Sequence, residues 1–283
     1  MDARVAFFDS ATRRNVPPGI SALAEDIACG HVGTVAVLAY GSALRESTPE
    51  ETLIDFHLLV ERAEHVSTNA ALRFIGNLVP PNVHYAERNI AGRTLRCKYA
   101  VMTVQRFIDL NGADASNPYL WARFAQPSRI AWTADDDVRA TVVGALAVAA
   151  RTALGHGLFL SPTAPWQVLF ENTYRTELRP ENTSRAALIV DADRDYFTEV
   201  SRLLADVTPQ PSSWVAKRVF GKLWSIARLA KAAFTFQGGA DYAAWKIARH
   251  SGVKIEVTDW QRRHPLLAGL VMLPKLLRSR GLK

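Results

Sequence analysis

Apolar positions along this chain fall into two kinds of pattern. Thr34–Ala39 is a short, continuous apolar run ending at Tyr40-Gly41-Ser42, which predicts a buried strand entering a tight turn. Leu53–Val60 predicts a second strand, separated from the first by the polar stretch Arg45–Glu51. Thr94–Val104 alternates instead. Leu95, Cys97, Tyr99 and Val101 point one way and Arg96 and Lys98 the other, as in a half-buried strand. Helical spacing governs Ile20–Gly30, where Leu23 and Ile27 share a face and Glu25 and Asp26 lie outside it. Ala70–Leu78 reads as a helix stopped by Pro80-Pro81-Asn82, and Val138–Leu154 as a long helix rich in Ala, Val and Leu. Beyond that helix the chain is punctuated by Pro162, Pro165, Pro180, Pro209 and Pro211. The pattern predicts an α+β protein: a mixed sheet with helices over 1–135, a mainly helical domain (a winged helix is one form it could take) over 136–210, and a C-terminal region over 211–283. No internal repeat is present.

Composition supports a packed core. Of 283 residues, 48% are apolar and 22% charged, which excludes wholesale disorder. Two cysteines, Cys29 and Cys97, make neither a disulfide scaffold nor a four-thiolate zinc site and point to a reducing compartment. His84, His156 and His264 lack metal-ligand spacing. The first residues contain Asp2 and Asp9 and no apolar core of signal-peptide length. The longest apolar runs, Ala140–Ala150 and Pro265–Pro274, fall short of the roughly 20 residues that cross a bilayer. A soluble protein or one lying on a membrane surface is expected.

Charge changes the picture at the C-terminus. The formal net charge of +7 hides an uneven division: beyond Gln210 lie 14 Lys and Arg against three acids, Asp241, Glu256 and Asp259. Residues 262–283 carry six cations and no acid, interleaved with Leu266, Leu267, Leu270, Leu273, Leu276 and Leu277. Such a basic amphipathic segment suits the surface of an anionic membrane, or else a basic helix packed on the core. Trp214, Trp224, Trp245 and Trp260 share this region, and Trp favours the headgroup layer. Nucleic acid is not the expected partner, because the charges follow leucines instead of forming a stripe of their own.

The chemistry-bearing pattern is Gly41-Ser42 with Asp55 thirteen residues beyond Ser42, each at a predicted strand or strand end. It resembles the polymerase-β-like nucleotidyltransferase superfamily. There, a Gly-Ser turn opening a helix holds the triphosphate through backbone N–H groups and the hydroxyl, and a carboxylate on the next strand binds Mg²⁺. Superfamily members usually carry a second carboxylate two residues on, where this chain has His57.

That departure, with a series of short matches in order, resembles a narrower family: the mitochondrial-type phosphatidate cytidylyltransferases, the CDP-diacylglycerol synthases of the translocator-maintenance family. The matching stretches are Tyr40-Gly41-Ser42, Ile54-Asp55-Phe56 with Val60, Asn82-Val83-His84-Tyr85 and Lys98-Tyr99-Ala100-Val101. Further along come Asp109-Leu110, Tyr119-Leu120-Trp121 with Ala125-Gln126-Pro127, Glu177-Leu178-Arg179, and Lys231-Ala232-Ala233-Phe234-Thr235. The Gly-Arg of the Tyr119–Pro127 stretch and the Gly of the last motif are missing.

The resemblance implies a nucleotidyltransferase-fold sheet and the transfer of CMP from CTP to phosphatidic acid, with Mg²⁺ as cofactor. Tyr40, Gly41, Ser42, Arg179, Arg228 and Thr235 would bind the nucleotide. Asp55, Lys98, Glu177 and Lys231 would be catalytic, with Asp55 and Glu177 as the metal ligands. An acid between two arginines is also what a surface ion pair looks like, and Lys98 and Lys231 could be solvated cations. His57 reads best as a strand histidine on the Asp55 face. A peripheral enzyme on the cytoplasmic face of the plasma membrane is implied, or on the mitochondrial inner membrane in a eukaryote. A nucleotidyltransferase with a soluble acceptor, or a binding protein that has lost catalysis, would carry the same motifs.

Overall fold

The computed structural model describes residues 2–14, 16–44, 52–67, 69–178, 184–236, 238–251 and 256–263. Helices α1 (Ala3–Arg13) and α2 (Pro18–Gly30) precede strand β1 (Thr34–Tyr40), a single 3₁₀ turn at Ser42–Leu44, and strand β2 (Leu53–Val60). Next come α3 (Ala63–Val66), α4 (Ala70–Leu78), β3 (Asn82–Ile90), β4 (Arg93–Thr103), α5 (Val104–Asn111), α6 (Trp121–Phe124) and β5 (Ser128–Thr133). The rest is helical: α7 (Asp136–Leu160), α8 (Pro165–Tyr174), α9 (Ser184–Ala192), α10 (Arg194–Leu203), α11 (Trp214–Thr235), α12 (Gly239–Ser251) and α13 (Asp259–Arg263).

The five strands form one mixed sheet in the order β3-β4-β2-β1-β5. All neighbours are antiparallel except β2 and β4, which run parallel. β1 and β2 are mostly apolar, with Asp55 and His57 the polar residues inside β2, because both sheet faces are largely covered. On one face α2 packs Ile20, Leu23 and Ile27 against Val37, Phe56, Leu58 and Cys97. On the other, Leu38, Tyr40, Leu59 and Met102 meet Phe107, Trp121, Phe124 and the α7 residues Val142, Val143 and Leu146. Each deeply buried large side chain contributes about 1.5–3 kcal/mol by leaving water, so these two layers dominate the stability.

β3 and β5 are strands that the sequence pattern does not announce. β3 is the sheet edge and leaves Glu87, Arg88 and Asn89 exposed, so its apolar alternation is broken. It returns into β4 through Ala91-Gly92, both with positive φ, a two-residue hairpin turn. The expected break between 135 and 136 is bridged by core: α1 packs on α7, and Arg139 donates to Asp9 Oδ1 at 2.9 Å and to Thr12 Oγ1 at 3.1 Å. Asp135 caps α7 by accepting from the Val138 N–H at 2.7 Å. Among the described residues, α7 is the one helix long and apolar enough to cross a bilayer, and 67% of that apolar window is buried inside the protein. Cys29 is exposed, Cys97 is buried, and both are free. Of the basic segment 262–283, residues 264–283 lie outside the described residues.

Candidate functional site

Sheet register builds the site. Tyr40 at the end of β1 lies opposite Asp55 on β2, and Asp55 lies opposite Lys98 on β4. Paired residues share a face, so three adjacent strands set these side chains in one row. Lys98 Nζ is 3.1 Å from Asp55 Oδ1. Just past β1, Gly41 has φ +86°, a left-handed conformation that only glycine adopts cheaply. Its position brings the backbone beside the carboxylate: a Cβ there would lie 3.7 Å from Asp55 Oδ2. The helix expected after Ser42 is a single 3₁₀ turn within the described residues.

Tyr40, Gly41, Ser42, Asp55, Lys98 and Glu177 all line one cavity of about 460 Å³. Glu177 arrives from the far side, just after α8, so residues 122 positions apart in sequence from Asp55 converge here.

The cavity also contains a cation that no sequence pattern marks. Arg123, on the one-turn helix α6, stacks on two rings: its guanidinium carbon is 5.1 Å from the Tyr40 centroid and 4.9 Å from the Tyr119 centroid. Burial opposes its charge, but Tyr119, Tyr40, Glu177 and Asp55 more than offset that and raise its pKa, so it stays charged. It belongs to the Tyr119–Pro127 stretch, which lacks a Gly-Arg pair; Ala122 occupies the position before it. Arg185 lines the same cavity.

His57 does not join the site. It is fully buried beneath it, with the Tyr40 ring centroid at 5.1 Å and the Phe124 ring at 5.0 Å. Burial first, then the charges of Arg123 and Lys98, hold its pKa well below the usual histidine range, so the ring is neutral. The same burial raises the Tyr40 phenol well above its ordinary range.

A second cavity of about 310 Å³ adjoins the first and shares Val83, Lys98, Tyr119 and Glu177 with it. Here lie Arg228, Lys231 and Thr235 of α11, with Leu178, Leu229 and Phe236. They sit beside the first cavity, not beside Gly41 and Ser42. Arg228 stacks on Tyr119 at 3.7 Å, so one tyrosine ring carries two guanidiniums.

Two of the α11 residues already have partners within the protein. Lys231 does not wait for a phosphate: its ammonium donates to the carbonyls of Val79 and Pro81 and to Asn82 Oδ1, which accounts for its three N–H bonds. It anchors α11 to the start of β3. Thr235 donates to the Lys231 carbonyl at 3.1 Å, one turn back. Arg179 lies outside the described residues.

The donor set bears on a metal. Among the described residues, no three His, Cys, Asp or Glu side chains cluster to hold an ion by themselves. Asp55, Glu177 and Ser42 are oxygen donors around one cavity whose other charges are positive. This suits Mg²⁺, which binds through one or two carboxylates and takes its remaining ligands from substrate phosphates and water.

No family model matches the chain, and the comparison with curated proteins finds no match.

Proposed function

We propose that the first cavity binds a nucleoside triphosphate with Mg²⁺ and transfers its nucleotidyl group to the phosphate of a lipid. In full, the reaction is CMP transfer from CTP to phosphatidic acid, giving CDP-diacylglycerol and pyrophosphate. The observation that carries this reading is the Tyr40–Asp55–Lys98 row beside the left-handed Gly41 turn, facing a cavity rich in cations. A glycine turn ending one strand, with an acid in register on the antiparallel neighbour, also supports the polymerase-β-like nucleotidyltransferase fold. The choice of cytidine and of phosphatidic acid rests on the sequence resemblance.

In this reading the Gly41 backbone and the Ser42 hydroxyl hold the terminal phosphates. Asp55 and Glu177 would hold Mg²⁺, which neutralises the triphosphate when bound. Lys98, fixed by Asp55 at 3.1 Å, offers charge where it develops on the α-phosphate. Arg123, pinned between two tyrosines, adds a second cation without reorganising. The acceptor's phosphate oxygen forms a bond to the α-phosphorus, the bond from that phosphorus to the bridging oxygen breaks, and pyrophosphate leaves with the electron pair. The attacking oxygen is already anionic, so no general base is required, and neutral His57 has no proton role. Catalysis is positioning and charge neutralisation.

The test is a nucleotide panel. CTP, ATP, GTP and UTP are each supplied with Mg²⁺ and vesicles containing phosphatidic acid. The reading expects a lipid nucleotide from CTP above all; no lipid product from any of the four would overturn it.

A further inference from the structure

Helix α11 is inside out. Its inward face carries Lys217, Arg218, Gly221, Ser225, Arg228 and Lys231, while its outward face carries Val215, Val219, Phe220, Leu223, Ile226 and Leu229. Those six large apolar side chains are 44–67% exposed, a continuous stripe at helical spacing. A surface helix normally shows the reverse arrangement, and scattered exposed leucines need no explanation whereas a contiguous patch does. Phe220 and Trp224 stack along it at 5.6 Å.

Two observations select the occupant. The first is charge. Of the five Lys and Arg in Trp214–Thr235, a stretch with no acid, Lys222 projects to solvent within the apolar stripe and Arg228 lines the second cavity beside Leu229. The second is continuity. Leu229 belongs to the stripe and also lines the second cavity, whose wall combines exposed Leu178 with the cations Arg228 and Lys98. An apolar plane with Lys222 set within it, leading into a cationic cavity lined by Leu178 and Leu229, matches a surface that is apolar within and anionic at its edge.

We infer that the outward face of α11 docks on an anionic lipid bilayer, with Val219, Leu223, Ile226 and Leu229 entering the acyl boundary and Lys222 meeting lipid phosphates. Docking so oriented sets the second cavity at the membrane, where a lipid phosphate can pass Leu229 and Leu178 toward Arg228 and Lys98. Only this last consequence rests on the proposed reaction; the docking does not.

The experiment is flotation of the full chain with vesicles of phosphatidylcholine containing about one third phosphatidylglycerol, without nucleotide or phosphatidic acid, so that failure of the reaction cannot masquerade as failure of docking. The expected result is binding that falls about tenfold or more in Leu223→Glu/Ile226→Glu, with unchanged circular dichroism. Leu223→Ser/Ile226→Ser, a milder pair at the same exposed positions, should fall between and serves if the charged pair does not fold. Vesicle binding equal to wild type in a folded variant overturns the inference. So does binding lost on removal of residues 264–283 but retained in both α11 pairs, which would assign the anchor to the tail. A change from dimer to monomer in the variants, with vesicle binding intact, would assign the face to a second copy of this chain and equally overturn it.

Discussion

Replacing Arg123 with methionine separates a site built for anions from one built for stability. The guanidinium rests on Tyr40 and Tyr119 at 5.1 and 4.9 Å, and each such contact contributes about 1–2 kcal/mol when partly desolvated. Against this stands the desolvation of a charge inside the cavity wall, several kcal/mol in general, and an Nε with no hydrogen-bond acceptor among the described residues. The nearby charges of Glu177 and Asp55 tip this balance toward the cation, so Arg123→Met, which keeps the aliphatic stem, should destabilise modestly, by about 1–2 kcal/mol. Anion affinity should respond differently. A hydrogen bond to a charged phosphate contributes about 1.5–3 kcal/mol, which is roughly a tenfold to hundredfold loss in affinity. Urea unfolding gives the first quantity, and calorimetric titration with Mg²⁺ and CTP, or with pyrophosphate, gives the second. A folded variant that loses several kcal/mol of stability and binds the anion as wild type does would refute the reasoning and make Arg123 a structural cation.

Other contacts lead to predictions of their own. Gly41→Ala should cost about 1–2 kcal/mol in urea unfolding, because Gly41 sits at φ +86° and the new Cβ at 3.7 Å from Asp55 Oδ2 adds no clash. Asp9→Asn should destabilise by about 1–3 kcal/mol, since it leaves the Arg139 side chain, only 9% exposed, without its charged partner between α1 and α7. His156 has its pKa lowered to about 4, by burial first and then by the Lys217 charge, against an ordinary 6.5. The unfolded chain therefore binds the proton first as pH falls, and stability should rise from pH 4 to 6.5 with a slope of up to about 1.4 kcal/mol per pH unit from this group. His156→Phe, which preserves the stack on Trp121 at 5.0 Å, should remove that part of the slope.

The strands that carry the site are legible because both faces of β1 and β2 are largely covered, which writes a continuous apolar run into β1 and one interrupted by Asp55 and His57 into β2. β4 is legible by its alternation, and that alternation already places Lys98 on the polar side. β3 is hidden by its exposed Glu87, Arg88 and Asn89, and β5 by its length of six residues with Arg129 and Trp132 inside it. Of the site, Asp55 and Lys98 can be suspected from pattern, but their pairing needs the parallel register of β2 with β4. Arg123 is invisible because a four-residue helix is too short to show a period. Lys231 misleads for a related reason. A cation on an apolar helix reads as solvent-facing or ligand-facing, whereas α11 turns all but Lys222 of its cations toward the protein, and Lys231 ends on the carbonyls of Val79 and Pro81. Charge and leucine content point to the tail beyond Arg262 as the membrane-binding segment, while the exposed apolar stripe lies on α11, some forty residues earlier in the chain.

The central claim is tested most directly by following the label of radioactive CTP into lipid. With phosphatidic acid vesicles and Mg²⁺, label at the α-phosphate should enter the lipid phase, label at the γ-phosphate should appear only in pyrophosphate, and Asp55→Ala should abolish both. Transfer of γ-label to lipid would make the site a kinase, and α-label entering the lipid undiminished in Asp55→Ala would place the chemistry elsewhere; either result contradicts the account.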